Sequence, residues 1–363
     1  MPMSTAIKGR GAGSHLPGRF ERTVSQAEDD GWHTDDSEEF AAPRLRTQVS
    51  EETARSIISR NQSPDVGFAQ SVNPYRGCEH GCSYCFARPS HAYLNLSPGL
   101  DFETRLFAKT NAPELLRREL AKPGYVPSPI ALGINTDAYQ PIERKLQLTR
   151  RLIEVFAETR HPFSLITKNA LVERDLDLLA PLARDNLVSV HFSVTSLDPR
   201  LSARLEPRAS APHARLRAMR TLHEAGVPVG VMVAPVIPWI NDHALEAVLE
   251  AAREAGAESA GYVLLRLPHE VAPLFRDWLQ AHHPDRAAHV MSTVQQLRGG
   301  KDYDSTFGKR MRGEGVYADL LARRFALAHK RLGYAESPRR RLDCSHFVKP
   351  LPPRPPSPQG VLF

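Results

Sequence analysis

The chain has 363 residues, of which 41% are hydrophobic and 24% charged, a globular balance for one large domain or two smaller ones that excludes a small disulfide-stapled scaffold. Its formal net charge of +6 permits an anionic partner without requiring one. No stretch approaches the roughly 20 apolar residues of a membrane helix, and no apolar signal-peptide core follows the first residues, so the expectation is a cytoplasmic protein with no membrane association.

In chain order, residues 1–66 carry eight Lys/Arg against eleven Asp/Glu, with the acidic runs Glu28-Asp29-Asp30 and Asp35-Asp36-Ser37-Glu38-Glu39. Few bulky apolar residues accompany them, which predicts a disordered or loosely docked segment. A strand is expected before Asn73-Pro74-Tyr75-Arg76-Gly77-Cys78-Glu79-His80-Gly81-Cys82-Ser83-Tyr84-Cys85. The chain has 4 cysteines in all, and three crowd into this segment, which argues for reduced thiols around a metal rather than a disulfide framework. Three thiolates spaced C-x3-C-x2-C suit an iron–sulfur cluster with one iron left open. The competing reading is a zinc-stabilised, noncatalytic binding module of Cys3His type, its fourth ligand His80 or His91.

A series of short apolar runs and helix-like segments follows, the pattern of βα units on a parallel sheet. Strands are expected at 129–134, 163–166, 187–194, 227–233 and 260–265. Helices are expected at 143–156, through Leu171 to Leu179, at 213–224 with Gly226 as its stop, and from a capping Asp242 to 255. With the strand before the cysteines these make six, too few for a closed eight-stranded barrel and enough for a partial (β/α)6 barrel or a doubly wound sheet. Residues 269–337 read as a helical extension, with Tyr317, Leu320, Leu321, Phe325, Ala328 and Leu332 at helical spacing. Twelve Lys/Arg against five Asp/Glu in 296–341 make either a solvated face or a phosphate-facing surface for nucleic acid. Residues 338–363, with Arg339-Arg340-Arg341, Pro352-Pro353 and Pro355-Pro356, read as a tail favouring extended polyproline conformations, and Cys344 within it as a solvent-facing thiol.

The motif Cys78-x-x-x-Cys82-x-Tyr84-Cys85, followed by this βα series over residues 67–268, resembles the radical S-adenosylmethionine (SAM) superfamily. Within it, Ile166-Thr167-Lys168, Phe192-Ser193-Val194-Thr195-Ser196, Leu205-Glu206-Pro207 and Val233-Ala234-Pro235 resemble the branch of spore photoproduct lyase and related bacterial proteins. The resemblance implies a partial barrel and a [4Fe–4S] cluster on Cys78, Cys82 and Cys85. It implies SAM on the open iron, cleaved by one electron to methionine and a 5′-deoxyadenosyl radical, with a flavodoxin or ferredoxin as electron donor.

It further implies roles for strand-end residues. Tyr84 takes the aromatic position near adenine. Asn135, Thr136 and Asp137 stand where the superfamily has a Gly-Gly-Glu-like segment touching the SAM amino group, a pattern absent here; Asn135 is a candidate SAM contact and Asp137 a candidate acceptor for the SAM ammonium, a turn or helix cap being its ordinary role. Lys168 is a candidate partner for the SAM carboxylate, Ser193 and Thr195 for ribose or carboxylate, and Ala234 and Val236 for adenine through backbone. Asn135 occupies the place where spore photoproduct lyase carries its hydrogen-donating cysteine. That departure weakens a nucleic-acid repair reaction while leaving nucleic acid or a nucleotide as a candidate partner. Tyr139 reads as packed rather than as a radical relay.

Overall fold

The computed structural model describes residues 7–21, 45–336 and 341–351. In chain order its strands are β1 (Gln48–Glu52), β2 (Ile58–Arg60), β3 (Gln70–Val72), β4 (Tyr75–Arg76), β5 (Arg105–Lys109), β6 (Ile130–Leu132), β7 (Phe163–Thr167), β8 (Val188–Ser193), β9 (Val229–Val236) and β10 (Ser259–Leu264). The helices up to β7 are α1 (Asp101–Thr104), α2 (Ala112–Leu120), α3 (Glu143–Leu146) and α4 (Leu148–Thr159). They continue as α5 (Leu176–Arg184), α6 (Pro199–Leu205), α7 (Pro212–Glu224), α8 (Leu245–Glu254), α9 (Val271–His282), α10 (Ala287–Gln296) and α11 (Val316–Arg331).

The short Val/Ile/Leu runs form the centre because strands covered by helices must be apolar on both faces. Strand order in the main sheet is β10-β9-β8-β7-β6-β3-β2. Six of its strands are mutually parallel, and β2 adds an antiparallel edge. This is the partial six-stranded α/β barrel, open between its edge strands. The main core runs along it through Val72, Leu132, Leu165, Phe192 and Val233 to the inward faces of the covering helices.

A second sheet, β1-β5-β4, was not foreseen. β1 is Gln-Val-Ser-Glu-Glu and almost wholly exposed, so it carries no apolar alternation; backbone pairing with β5 holds it. The expected looseness of residues 1–66 therefore does not extend to the described parts. Gly11 and Ala12 donate to the buried Glu103 carboxylate at 3.0 and 2.9 Å, and Ile57 N donates to Glu119 at 2.8 Å. The acidic runs at 28–30 and 35–39 lie outside the described residues, as do Arg339, Arg340 and the proline pairs at 352–353 and 355–356.

The expected helix 143–156 is broken at Gln147, whose φ is 53°. The Glu143 carboxylate fills the bend, taking Thr149 N at 3.0 Å and the Tyr75 hydroxyl. Asp242 does not cap the next helix with its side chain; it accepts from the Tyr317 hydroxyl, tying α8 to α11. Among the described residues the extension is helical in α9, α10 and α11 and in a short 3-10 turn at Tyr334–Glu336. Between α10 and α11, Gly299, Gly300, Gly308, Gly313 and Gly315 all take positive φ, and the loop crosses the open side of the barrel. Met311 O accepts Leu264 N at 3.0 Å, and Asp65 accepts Gly308 N at 2.7 Å and the Arg310 guanidinium.

Part of the tail also docks. Asp343 N donates to Asn186 O at 2.9 Å, Val348 N to Thr159 O at 2.8 Å, and Phe347 packs 5.3 Å from His161. Asn186 and Thr159 precede β8 and β7, so the half-buried Cys344 lies at the strand N-termini and not in open solvent. The cysteine loop after β3 is at the opposite end. Among the described residues no helix is long and apolar enough to cross a membrane.

Candidate active site at the strand C-termini

Because six strands run parallel, the residues that follow them meet at one end of the sheet. Cys78 and Cys82 are buried and Cys85 half-buried, all three as free thiols. The loop folds back through Gly81 N to Cys78 O at 3.4 Å and Cys85 N to Cys82 O at 3.2 Å. Gly81 has φ 66°, and a Cβ there would stand 2.7 Å from Glu103 Oε2, so only glycine makes this turn beside that carboxylate.

The protein grips the loop from several sides. Gln140 donates to Gly77 O at 3.1 Å and accepts Glu79 N at 2.9 Å. Arg88, fully buried, places Nε and Nη2 on Cys82 O at 2.9 and 2.8 Å and Nη1 on Gly99 O at 2.9 Å. Its charge is met by Glu103, the carboxylate that also takes Gly11 and Ala12. Gly11 packs so closely that a Cβ on it would lie 1.6 Å from Gly81 O.

Opposite, the segment after α6 lines the loop residue by residue. Leu205 O accepts Ser83 N at 3.1 Å, Arg208 N donates to His80 O at 3.3 Å, and Arg208 Nη1 reaches Glu79 Oε1 at 3.0 Å. Glu206 accepts the Tyr84 hydroxyl, Thr195 Oγ1 at 2.9 Å and Arg215 Nη2. Arg215 also donates to Ser193 O at 2.8 Å and Ser210 O at 2.7 Å.

These surroundings set the charges. Burial pushes the Cys78 thiol up, and Asp137, Cys82 and Cys85 add to it. Cys82 is pushed up to about 12, chiefly by burial, with Lys168 acting against Glu206 and Cys85. Burial pulls Lys168 down, but Cys82, Glu206 and Asp137 outweigh it and hold the ammonium above its ordinary value. The Lys168 ammonium thus acts electrostatically on Cys82, and it makes no hydrogen bond or ion pair among the described residues. A soft all-sulfur donor set with no fourth protein ligand fits a cluster that keeps one iron open.

The other expected residues fall as follows. Tyr84 and Thr195 are brought together, both on Glu206. Asp137 is saturated: it accepts Tyr139 N at 2.8 Å, Thr167 Oγ1 at 2.7 Å and Lys168 N at 2.8 Å, with His80 Nδ1 3.3 Å away. Burial alone would raise its pKa; His80, Thr167 and the Lys168 N–H hold it down to about 2. Asn135 is exposed at the strand ends, its N–H on Asn73 Oδ1 at 2.8 Å. Ser193 Oγ donates to Ala234 O at 3.1 Å. Ala234 and Val236 belong to β9 itself rather than following it, and Val236 O accepts Leu265 N at 3.0 Å, so that backbone serves the sheet. Tyr139 is buried with its hydroxyl on Asp175 at 2.9 Å, a packed residue as expected.

The histidines give the zinc reading no support. His80 turns to Asp137 and Asn169, and His91 Nε2 meets Arg105 O at 2.9 Å. Among the described residues no group of three or more His, Cys, Asp or Glu, the three cysteines included, is arranged as it stands around a metal ion. Glu206, Arg215, Arg88 and Glu103 were not foreseen as site residues. Only Glu206 carried a signal, within Leu205-Glu206-Pro207; the others owe their roles to contacts the sequence does not announce.

The model of the Radical SAM superfamily matches residues 72–252. An uncharacterized protein of Mycobacterium tuberculosis is 40% identical over 220 residues, covering 60% of this chain and 65% of the relative. An uncharacterized protein of Methanocaldococcus jannaschii is 28% identical over 189 residues, covering 52% and 68%. The matched chain thus spans 65% of the mycobacterial relative's own length. Spore photoproduct lyase complexed with dinucleoside spore photoproduct aligns with a TM-score of 0.54 at 16% identity, over 78% of this chain and 79% of that one. At that identity the likeness is one of fold.

Proposed function

Because the chain belongs to the radical SAM superfamily, we propose that it is an enzyme that cleaves SAM reductively to start radical chemistry on a nucleic acid or nucleotide. Its core is residues 67–268, with 269–337 as a covering extension. Cys78, Cys82 and Cys85 would hold a [4Fe–4S] cluster. That cluster, once bound and reduced by a flavodoxin- or ferredoxin-like donor, supplies the electron that breaks the SAM sulfonium to methionine and a 5′-deoxyadenosyl radical.

The observation that carries this reading is the loop of three free thiols at the strand C-termini, already folded by its own contacts, with the Lys168 ammonium, unpartnered among the described residues, acting electrostatically on Cys82. Such an ammonium suits a carboxylate arriving beside the thiols. Tyr84 and Thr195, fixed by Glu206, present a ring and a hydroxyl at the same end. Ser193, Ala234 and Val236 form the floor there. Asp137, with both oxygens engaged, positions Lys168 and His80; as an ammonium acceptor it has little capacity left. Asn135, exposed at the mouth, faces substrate with an amide where the related lyase has a thiol. The enzyme therefore ends its reaction without a cysteine hydrogen donor at that position. A reducing cytoplasmic compartment suits the three free thiols.

For the substrate class, the support is the basic extension and the fold shared with a protein solved with dinucleoside spore photoproduct. The test is anaerobic reconstitution with iron and sulfide, EPR after reduction, and assay for 5′-deoxyadenosine. The expected result is a reduced [4Fe–4S] signal perturbed by SAM, with product abolished in Cys82→Ala. Tightly bound zinc without cluster or deoxyadenosine would overturn the reading.

A further inference from the structure

The last strand of the barrel, β10, is followed by Leu265-Arg266-Leu267 at the same end as the cysteine loop. The Arg266 guanidinium carbon lies 4.9 Å from the ring centroid of Phe86, the residue after Cys85, and 5.9 Å from that of Tyr303. Its polar contacts are weak: Tyr303 Oη at 3.3 Å and Met311 Sδ at 3.6 Å, with Nε buried and without a partner. Arg298 lies directly behind, 3% exposed, donating to Leu265 O at 3.0 Å and Lys309 O at 2.7 Å.

Neither guanidinium has a carboxylate within ion-pair distance among the described residues. Their neighbours do: Arg310 has Asp65 and Arg276 has Asp302. Burial and the proximity of Arg266 draw the Arg298 pKa below the ordinary arginine value, outweighing the opposite pull of Tyr303 and Asp304. Half-buried positive charge without a partner is costly, and an anion from outside is what would offset it. A guanidinium presents a planar fork of donors that matches phosphate oxygens. The flanking faces are open and aromatic: Phe86 is 40% exposed, and Phe307, under Arg310, is 56% exposed. Arginine stacked on exposed rings is the surface a nucleotide uses, its phosphate on the cation and its base on the ring.

We propose that Arg266, backed by Arg298 and walled by Phe86 and Tyr303, is a phosphate subsite that anchors one phosphate group of the substrate beside the cysteine loop. This rests on the reading of the chain as a radical enzyme acting on a nucleotide or nucleic acid, and it names the group by which that substrate is held.

The test uses the anaerobically reconstituted full chain and calorimetric titration with inorganic phosphate, a 5′-mononucleotide, a dinucleotide with one internal phosphodiester, and the unphosphorylated nucleoside. Phosphate and at least one phosphorylated probe bind the wild type, and the nucleoside binds at least tenfold more weakly. Arg266→Met loses at least tenfold in affinity while cleaving SAM without substrate within twofold of wild type. The mononucleotide and dinucleotide arms separate a terminal phosphate from a strand phosphodiester. Arg266→Gln, which keeps a donor for Tyr303, is read the same way should Arg266→Met fail to fold. Equal binding by wild type and both variants, or no phosphate binding by protein that cleaves SAM, overturns the subsite. Phosphate binding lost in Arg266→Gln by protein that forms no cluster supports the subsite and instead refutes the radical function.

Discussion

Replacing Glu206 by Gln tests whether the cysteine loop is held by a desolvated ion pair. The Glu206 and Arg215 side chains are 0% and 1% exposed. In the variant the amide oxygen still accepts from Tyr84 or Thr195, but Arg215, fixed by Ser193 O and Ser210 O, keeps its charge without a counter-ion. Removing one partner of a buried pair costs about 3–5 kcal/mol, a large part of the roughly 5–15 kcal/mol that stabilises a typical fold. Anaerobic urea unfolding followed by circular dichroism should report a loss in that range. Glu206→Gln/Arg215→Met together should cost at least about 2 kcal/mol less than the sum of the singles, because the double removes both charges. The sign with pH is determined too. Burial would raise the Glu206 pKa, but Arg215 and Lys168 outweigh it and hold it below the ordinary 4.5. Its contribution is therefore present above that value and lost as pH falls through the folded pKa, and Glu206→Gln should lack this acid step. A single-variant cost under about 1 kcal/mol would refute the argument, since it would mean that the charges are solvated.

Two further outcomes follow from the described contacts. His161, with Nδ1 on Pro162 O at 3.0 Å and Nε2 taking the Tyr125 hydroxyl at 2.8 Å, is drawn down to about 4 by burial. Its folded pKa lies below the unfolded value near 6.5, so stability is full above about pH 6.5 and falls by up to about 3 kcal/mol as pH drops toward 4; an undiminished loss in His161→Gln would contradict this. Gly11→Ala puts a methyl where Gly81 O already lies, at a strain of about 1–3 kcal/mol or with release of the segment. Limited proteolysis should then cut within 7–21 faster than in wild type, and an unchanged pattern would count against the close approach.

The parallel series was readable because each strand, buried on both faces, is a short apolar run, and each covering helix keeps its apolar side at a period near 3.6. Val188–Ser193 and Pro212–Glu224 fall within a residue or so of expectation. What escaped had no such period. β1 is charged and exposed, and its pairing is a backbone matter; α2 and β5 sit between the cysteine loop and β6 where no turn chemistry marks them. Glycines in 299–315 disguised a loop as part of a helical stretch, since Leu and Arg at helical spacing flank them. In the site, thiol spacing announced the cysteines, but Arg88 and Arg215 are single arginines whose partners, carbonyl oxygens and carboxylates, stand at no characteristic spacing from them. Composition cannot distinguish such a buried brace from a surface charge.

The braces differ in kind, and the difference bears on how the loop works. Neutral contacts from Gln140 and from the carbonyl of Leu205 set its path. The two buried pairs, Arg88–Glu103 and Arg215–Glu206, hold it at either side: one fixes Cys82 O, the other the Tyr84 hydroxyl. Each pair is nearly neutral as a whole, so it adds rigidity without adding net charge beside the thiols. Beyond these pairs, the charges that act on the thiols are Asp137 on Cys78 and Lys168, at a strand end, on Cys82. Deprotonating Cys78 and Cys82 in this buried site is opposed by desolvation and by the repulsion of neighbouring thiols, which push both pKa values up. Positive charge at Lys168 offsets part of that cost for Cys82, and a cationic metal assembly would offset the rest. A loop folded before its metal arrives, with the Cys78 and Cys82 thiols held protonated until then, would bind a cluster through a loss of protons rather than a change of shape. This predicts proton release on cluster assembly with little change in the far-ultraviolet circular dichroism of the chain.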